Sequence, residues 1–77
     1  MDEVDLLGKN KRARAAVMAE ADAAHHALIA LSVCGDEEML TRIHAGELAE
    51  AVQTLSKCKY QMIALLEQQR KLANAAG

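Results

Sequence analysis

Five side chains of this 77-residue sequence could ligate a soft metal ion, but their spacing argues against a site. They are two cysteines and three histidines: Cys34, Cys58, His25, His26 and His44. A helix brings ligands together at i,i+3 or i,i+4, and no pair of these residues has either spacing. We therefore predict no metal site and no cofactor. In a reducing compartment the two thiols are expected to be small buried apolar residues.

A run of four cations within six residues could bind phosphate groups. It consists of Lys9, Lys11, Arg12 and Arg14. On a helix these side chains fan around the cylinder instead of lining one stripe, and no aromatic residue beside them could stack on a base. The simpler interpretation is a solvated helix terminus. The alternative is a regulator that binds nucleic acid or a nucleotide phosphate through this basic end.

Motifs that carry catalysis are missing. The sequence has no Gly-rich phosphate loop, no nucleophile elbow and no metalloprotease-type helix. Its acids lie in the N-terminal tip, in a turn and on outer helix faces. General acid–base chemistry needs a desolvated pocket, which a thin helical protein does not offer within one chain. We therefore expect a protein that is not an enzyme.

The composition favours a single all-α domain over residues 1–77. The apolar fraction is 52%, but the sequence has one aromatic residue, no Pro, and many good helix formers, chiefly Ala and Leu. The β-branched and aromatic residues and the Gly/Pro-rich turns of a β-sandwich are missing. A formal net charge of -2 gives no overall signal for nucleic acid or an anionic membrane.

The first predicted helix covers about residues 6–33. Its apolar seam recurs at spacings of three and four and includes Val17, Ala21, Ala24, Leu28 and Leu31. Asp5 and Asn10 are candidate N-caps. We favour Asp5, because a start at Asn10 would place cations at the positive end of the helix dipole. Residues 1–5 then form a loose N-terminal tip.

The last predicted helix covers about residues 46–75. Its seam alternates three-four without a break through Leu48, Ala51, Leu55, Cys58, Met62, Leu65, Gln69 and Leu72. This is a heptad pattern of the kind found in coiled coils. Gln69 is the one polar residue of this seam. Either the helix end frays there, or Gln69 is a polar device that fixes register or oligomeric state.

A short helix is predicted between the two long ones, at about residues 36–44. Gly35 fits the left-handed position just past the first helix, and Asp36 suits the N-cap of the next. The apolar residues of this segment do not continue the seam that begins at Leu48, because the phase slips across Gly46. One continuous helix that changes its packing partner is the alternative, and we favour the separate helix.

These elements predict an antiparallel helical hairpin whose two seams face each other. The intramolecular seam consists of Val17, Ala21, Ala24, Leu28 and Leu31 in the first helix, and Leu48, Leu55, Met62, Leu65 and Leu72 in the last. A chain this short is marginally stable alone. Both helices also carry surplus apolar residues that one hairpin cannot cover.

The surplus predicts an interface with a partner. Its expected residues are His26, Ile29, Val33, Tyr60, Ile63 and Leu66. We expect a homo-oligomer, in the simplest case a homodimer that forms a four-helix or larger bundle. The leading hypothesis is a non-catalytic protein–protein interaction module, which acts as an adaptor, a small chaperone or an inhibitor.

Two features predict a cytoplasmic location. The N-terminus, Met-Asp-Glu-Val-Asp, is acidic and does not resemble a signal peptide. The longest apolar stretch, residues 27–34, is too short to cross a bilayer. We therefore expect no association with a membrane.

Overall fold

A computed structural model of the protein describes residues 3–76 and confirms the predicted all-α hairpin. α1 (Glu3–Val33) and α3 (Glu47–Ala76) are the long helices, and α2 (Asp36–His44) lies between them. α1 packs along α3, and α2 contacts mainly α3. The described part of the chain contains no strand. The result is a rod with principal extents of 56 × 16 × 14 Å.

α1 begins three residues earlier than predicted. Val4 and Asp5 lie within the helix, so Asp5 is not its cap, and a start at Asn10 is wrong. An acidic first turn favours this start, because carboxylates stabilise the positive end of the helix dipole. Gly8 is accommodated inside the helix despite a cost of about 1 kcal/mol relative to Ala. The predicted tip also included residues 1 and 2, which lie outside the described residues.

The boundary between α1 and α2 differs from the prediction at Gly35. Gly35 has φ -65° and ψ 158°, which is extended backbone and not the left-handed conformation. It serves as the N-cap of α2, and its carbonyl accepts the first helical hydrogen bond from Met39 N at 2.8 Å. Asp36 is therefore the first residue of α2 and not its cap. Its carboxylate still lies in the first turn, where the helix dipole favours it.

The turn between α2 and α3 depends on a glycine. Gly46 has φ +93°, and its N–H donates to Ile43 O at 2.9 Å. A side chain is strained in this left-handed region, so Gly is the residue that ends α2 cleanly. α3 then begins at Glu47 on a new axis. The separate short helix is confirmed, and the phase slip across Gly46 is its signature in the sequence.

The interior of the hairpin is thin. Among the described residues, the buried apolar side chains are Ala24, Leu31, Ala51 and Cys58. The remaining seam residues are half-buried, apart from Leu48. Leu48, in the first turn of α3, is 37% exposed. One hairpin therefore supplies little apolar burial.

Candidate interaction surface

The exposed large apolar residues are the most conspicuous feature of the surface. In the long helices they are Val4, Met18, Ile29, Val33, Leu48, Val52, Tyr60, Ile63 and Leu66. Their exposed fractions run from 37% at Leu48 to 77% at Val33. Five of the six predicted interface residues are in this set, and the sixth, His26, is also exposed.

Helical rotation assigns these residues to sides of the hairpin. Each residue turns by about 100°, so the residue after a seam position lies on one side of the seam and the residue before it on the other. Lys57 and Glu20 both precede seam residues, and their side chains form an ion pair across the two helices. The preceding positions of α1 and α3 therefore share one side of the hairpin. The following positions share the opposite side.

Most exposed large apolar residues of the long helices follow a seam residue. We call this side the apolar face and define it by Met18, Ile29, Val52, Ile63 and Leu66. Ile63 and Leu66 line a shallow depression there together with Glu67 and Arg70. The face is not purely apolar, because exposed polar residues also follow seam residues: Asp22, His25, Ser56, Lys59 and Arg70. The apolar face combines surplus apolar residues from α1 and α3. The sequence pattern assigned these residues to each helix separately.

The opposite side carries small and polar residues. We call it the alanine face and define it by Glu20, Ala23 and Ala27 of α1 and Glu50, Thr54 and Lys57 of α3. These residues, except Lys57, line a groove between the helices. None of the exposed large apolar residues named above precedes a seam residue. The alanine face therefore offers a partner no exposed large apolar side chain, and the apolar part of its groove is formed by alanines.

The structure divides the predicted partner interface. Ile29, Ile63 and Leu66 belong to the apolar face. His26 and Tyr60 lie two positions after a seam residue, about 200° around the helix, and so point away from the other helix. Val33 likewise lies at the outer end of α1, 77% exposed. Tyr60 is 65% exposed and has Lys59 Nζ 5.7 Å from its ring centroid.

The prediction of interface residues omitted two members of the apolar face, Met18 and Val52. They are 54% and 52% exposed. Each directly follows a seam residue, Val17 and Ala51 respectively. Applying that positional rule to both helices at once would have identified them.

The basic end does not form a common site for its four cations. Lys9, Lys11 and Arg12 are exposed and lie in different directions around α1. Arg14 is half-buried, and its Nε donates to Asn10 Oδ1 at 2.8 Å. Lys9 and Arg12 line a shallow depression that also contains the carboxylate of Asp5. The cations fan around the helix, and Arg14 is engaged within the fold.

A buried polar network crosses the hairpin near this end. Asn10 is 2% exposed, and its Nδ2 donates to Leu65 O and to Gln68 Oε1, both at 2.8 Å. Its Oδ1 accepts from Arg14, so the buried amide is satisfied. Gln69, the predicted polar device, is half-buried, whereas its neighbour Gln68 makes the cross-helix bond. Polar groups at this level set the register between α1 and α3.

An ion pair fixes α2 against the start of α3. Arg42 Nη2 lies 2.9 Å from Glu47 Oε1, and Arg42 Nε contacts both carboxylate oxygens at 3.1 Å. This hydrogen bonding raises the pKa of Arg42 and lowers the pKa of Glu47. Glu38 is a more distant partner of Arg42, at 3.9 Å. On the alanine face, the hydrogen bond to Glu20 raises the pKa of Lys57.

The potential metal ligands are dispersed. Within residues 3–76 no three His, Cys, Asp or Glu side chains are grouped so that they could hold a metal ion. His25 and His26 stack on each other at the surface, with ring centroids 6.2 Å apart. Cys58 is buried in the seam, and Cys34 is half-buried with Sγ donating to Leu31 O at 3.3 Å.

Comparison with known proteins does not assign the chain to a family. No family model, no curated protein and no solved structure matches it. Over the described residues, none of the helices has the length and apolar character needed to cross a membrane.

Proposed function

We propose that the protein is a non-catalytic protein–protein interaction module that acts through its apolar face. It associates into a helical bundle, in the simplest case a homodimer of four long helices, and serves as an adaptor, a small chaperone or an inhibitor. The observation that supports this most directly is the concentration of Met18, Ile29, Val52, Ile63 and Leu66 on one side. Exposed large apolar side chains gathered on one side of a small protein often mark an interaction site.

The thin interior gives a second, energetic reason. Burial of apolar surface stabilises by roughly 25 cal/mol per Å². Two of the four buried apolar residues are alanines, Ala24 and Ala51, which contribute little area each. Covering the apolar face with another helical surface would add several large side chains to this interior. Small domains commonly gain stability by association in this way.

A matched pair of variants, at the two residues that flank the seam residue Met62, tests the proposal. Gln61 precedes this seam residue and Ile63 follows it, and both are exposed. We expect Ile63→Asp to weaken association by about 100-fold, because a carboxylate replaces an interface side chain of a hot-spot kind. Gln61→Asp introduces the same residue on the other side and should leave association nearly unchanged. Sedimentation equilibrium over a concentration series measures both.

Equal effects of the two variants would contradict the proposal, since the apolar face would then have no special role. Circular dichroism at the same concentrations controls for helix loss. A partner protein, if the module binds one in place of its own copy, should show the same dependence on Ile63 and the same indifference to Gln61.

Phosphate binding at the basic end is the alternative function. Its support is the exposure of Lys9, Lys11 and Arg12. Binding of this class would weaken steeply with salt and would be lost in the Lys11→Ala/Arg12→Ala variant. Binding by the apolar face would survive salt and that variant.

The proposal includes a cytoplasmic location, which the free thiols Cys34 and Cys58 support.

A further inference from the structure

We propose that the apolar face is covered by a second copy of this chain that is turned end for end. In this dimer α1 lies antiparallel to α1 of the second copy, and α3 antiparallel to α3. The inference rests on the proposed function and specifies its occupant and orientation. Area, charge and the spacing of the apolar residues support it independently.

The size of the face suits a stable dimer. The hairpin measures 56 Å by 16 Å on its broad side. A face of those dimensions is of the same order as the roughly 800 Å² per partner that a stable interface buries. Two hairpins stacked on their apolar faces would form a four-helix bundle in which every neighbouring pair of helices is antiparallel.

Charge distinguishes the two possible orientations. The end of the hairpin that holds α2 carries five carboxylates, Asp36, Glu37, Glu38, Glu47 and Glu50, with Arg42 as their cation. Among the side chains that the structure describes, the open end carries six cations, Lys9, Lys11, Arg12, Arg14, Arg70 and Lys71, against two carboxylates, Asp5 and Glu67. A parallel dimer would place two strongly acidic ends side by side. Turning one copy end for end places each acidic end beside a net basic one, so the attraction acts between the ends of the rods; Glu47 and Glu50 line the groove of the alanine face and do not face the second copy.

Three of the five residues that define the apolar face, Met18, Val52 and Leu66, are spaced symmetrically about the middle of the rod, whereas Ile29 and Ile63 have no counterpart on that face. The Glu20–Lys57 ion pair and the Asn10–Gln68 hydrogen bond put Met18 about level with Lys59. Met18 is the midpoint of α1, which spans Glu3–Val33. In α3, Val52 and Leu66 lie one heptad before and one heptad after Lys59. A two-fold axis at this level therefore packs Met18 against Met18 and Val52 against Leu66.

Lys59 itself lies close to that axis, where two like charges would meet. Its ammonium group is held over the ring of Tyr60, at 5.7 Å from the centroid. Tyr60 points away from α1, so this contact draws the charge of Lys59 toward the outer surface of the bundle. The centre of the interface is then left mainly to Met18.

Distances between identical spin labels on the two copies test the orientation. The first variant is Val33→Cys/Cys34→Ser, which places a label at an exposed outward position near the acidic end. The second is Ala19→Cys/Cys34→Ser, with a label on exposed surface near the middle of the rod. Cys58, 3% exposed, is shielded from labelling. Circular dichroism confirms that each labelled chain is helical.

The end-for-end dimer predicts a distance of about 45 Å or more for the label at position 33, from the ~1.5 Å rise per residue. It predicts less than about 30 Å for the label at position 19, since helices in a bundle lie about 10 Å apart. Short distances at both positions would overturn the orientation and leave the proposed function standing. Long distances at both would show that another surface forms the dimer. Absence of dipolar coupling at both, with a monomeric mass, would overturn the inference and the proposed self-association together.

Discussion

The two sides of the hairpin, the alanine face and the apolar face, differ in the size of the side chains that flank the seam. On the alanine face, Ala23 and Ala27 lie close to the seam, and the helices are joined across it by the Glu20–Lys57 ion pair. On the apolar face, Met18, Val52 and Leu66 flank the same seam and are about half exposed. The alanine face has small side chains beside the seam and a cross-helix ion pair within one chain. The apolar face has large side chains with nothing of the same chain to cover them.

This contrast explains how a chain with so little interior can carry so high an apolar fraction. The sequence is 52% apolar, yet the hairpin buries mainly small residues such as Ala24 and Ala51. Five of the ten exposed large apolar residues in the described part of the chain lie on one side of the hairpin, and none lies on the alanine face. The asymmetry between the faces is therefore the physical basis of the proposed interaction.

The largest expected effect comes from Met18, at the proposed two-fold axis. Met18→Asp places two carboxylates against each other in the dimer and should weaken association by more than about 100-fold. Ala16→Asp is the matched control, because Ala16 and Met18 flank the same seam residue, Val17, on opposite sides. Sedimentation equilibrium should give a monomer for Met18→Asp and near-native association for Ala16→Asp. Unchanged association of the Met18→Asp chain would contradict the proposed difference between the two faces.

The next effect concerns the buried network that holds the two helices in register. Asn10→Ala removes a side chain that is 2% exposed and leaves Gln68 and the carbonyl of Leu65 without its donor groups. We expect a loss of about 2 kcal/mol in the free energy of unfolding at fixed protein concentration. Lys11→Ala, at the exposed neighbouring position, is the control for helix propensity. Urea unfolding that gives equal midpoints for both variants would contradict the assigned role of Asn10.

Asn10 also illustrates how far the sequence could predict the fold. The hairpin, the short helix and the seam follow from residue spacing, because periodicity and the slip at Gly46 are local signals. That a polar Asn10 on the seam would be the most deeply buried polar residue could not be derived, since its partners Leu65 and Gln68 are more than fifty positions away. Gln69 was chosen instead because it interrupts the seam. The register that favours Gln68 is a tertiary property.

The candidate surface was predictable in part for a similar reason. Ile29, Ile63 and Leu66 were identified as surplus apolar residues from each helix alone. Which surplus residues share a face depends on how the two helices are rotated against each other, and the Glu20–Lys57 contact supplies that information. Tyr60 is predicted in the interface as the only aromatic residue, and His26 as part of a surplus stripe, and neither reason gives a direction relative to the other helix. The prediction places Gly35 in the left-handed region, because glycine adopts that conformation at little cost. Glycine does not require it, and the backbone of Gly35 is extended.

A smaller effect is expected from acid at the corner between α2 and α3. Hydrogen bonds from Arg42 lower the pKa of Glu47 below its ordinary value of 4.5. The ion pair therefore stabilises the corner above about pH 4.5, and this contribution is lost as the pH falls through the lowered pKa. Protection factors of the α2 amides, which correct for the pH dependence of intrinsic exchange, should fall over that acidic range. In Glu47→Gln the fall should be weaker, whereas Glu38→Gln, which removes the longer 3.9 Å contact, should behave like the native chain.

The smallest effect is expected on the alanine face. Lys57→Gln breaks an ion pair between two side chains that are 54% and 43% exposed, and pairs of this kind contribute little. Thermal unfolding should change less than in Asn10→Ala, and self-association should not change. The hydrogen bond to Glu20 raises the pKa of Lys57 above its ordinary value of 10.5. The stabilisation from this ion pair is therefore fully present below pH 10.5 and is lost as the pH rises through the raised pKa. A loss of association in Lys57→Gln would contradict the proposal, because it would place the interface on the alanine face.

The mass of the unmodified chain in solution tests the central claim most directly. Light scattering or sedimentation equilibrium at micromolar concentration should give twice the 8.3 kDa of one chain, or a higher multiple, with dissociation on dilution. The apolar face would then be covered in the native protein. A stable mass of 8.3 kDa throughout the micromolar range would contradict the proposed self-association through this face.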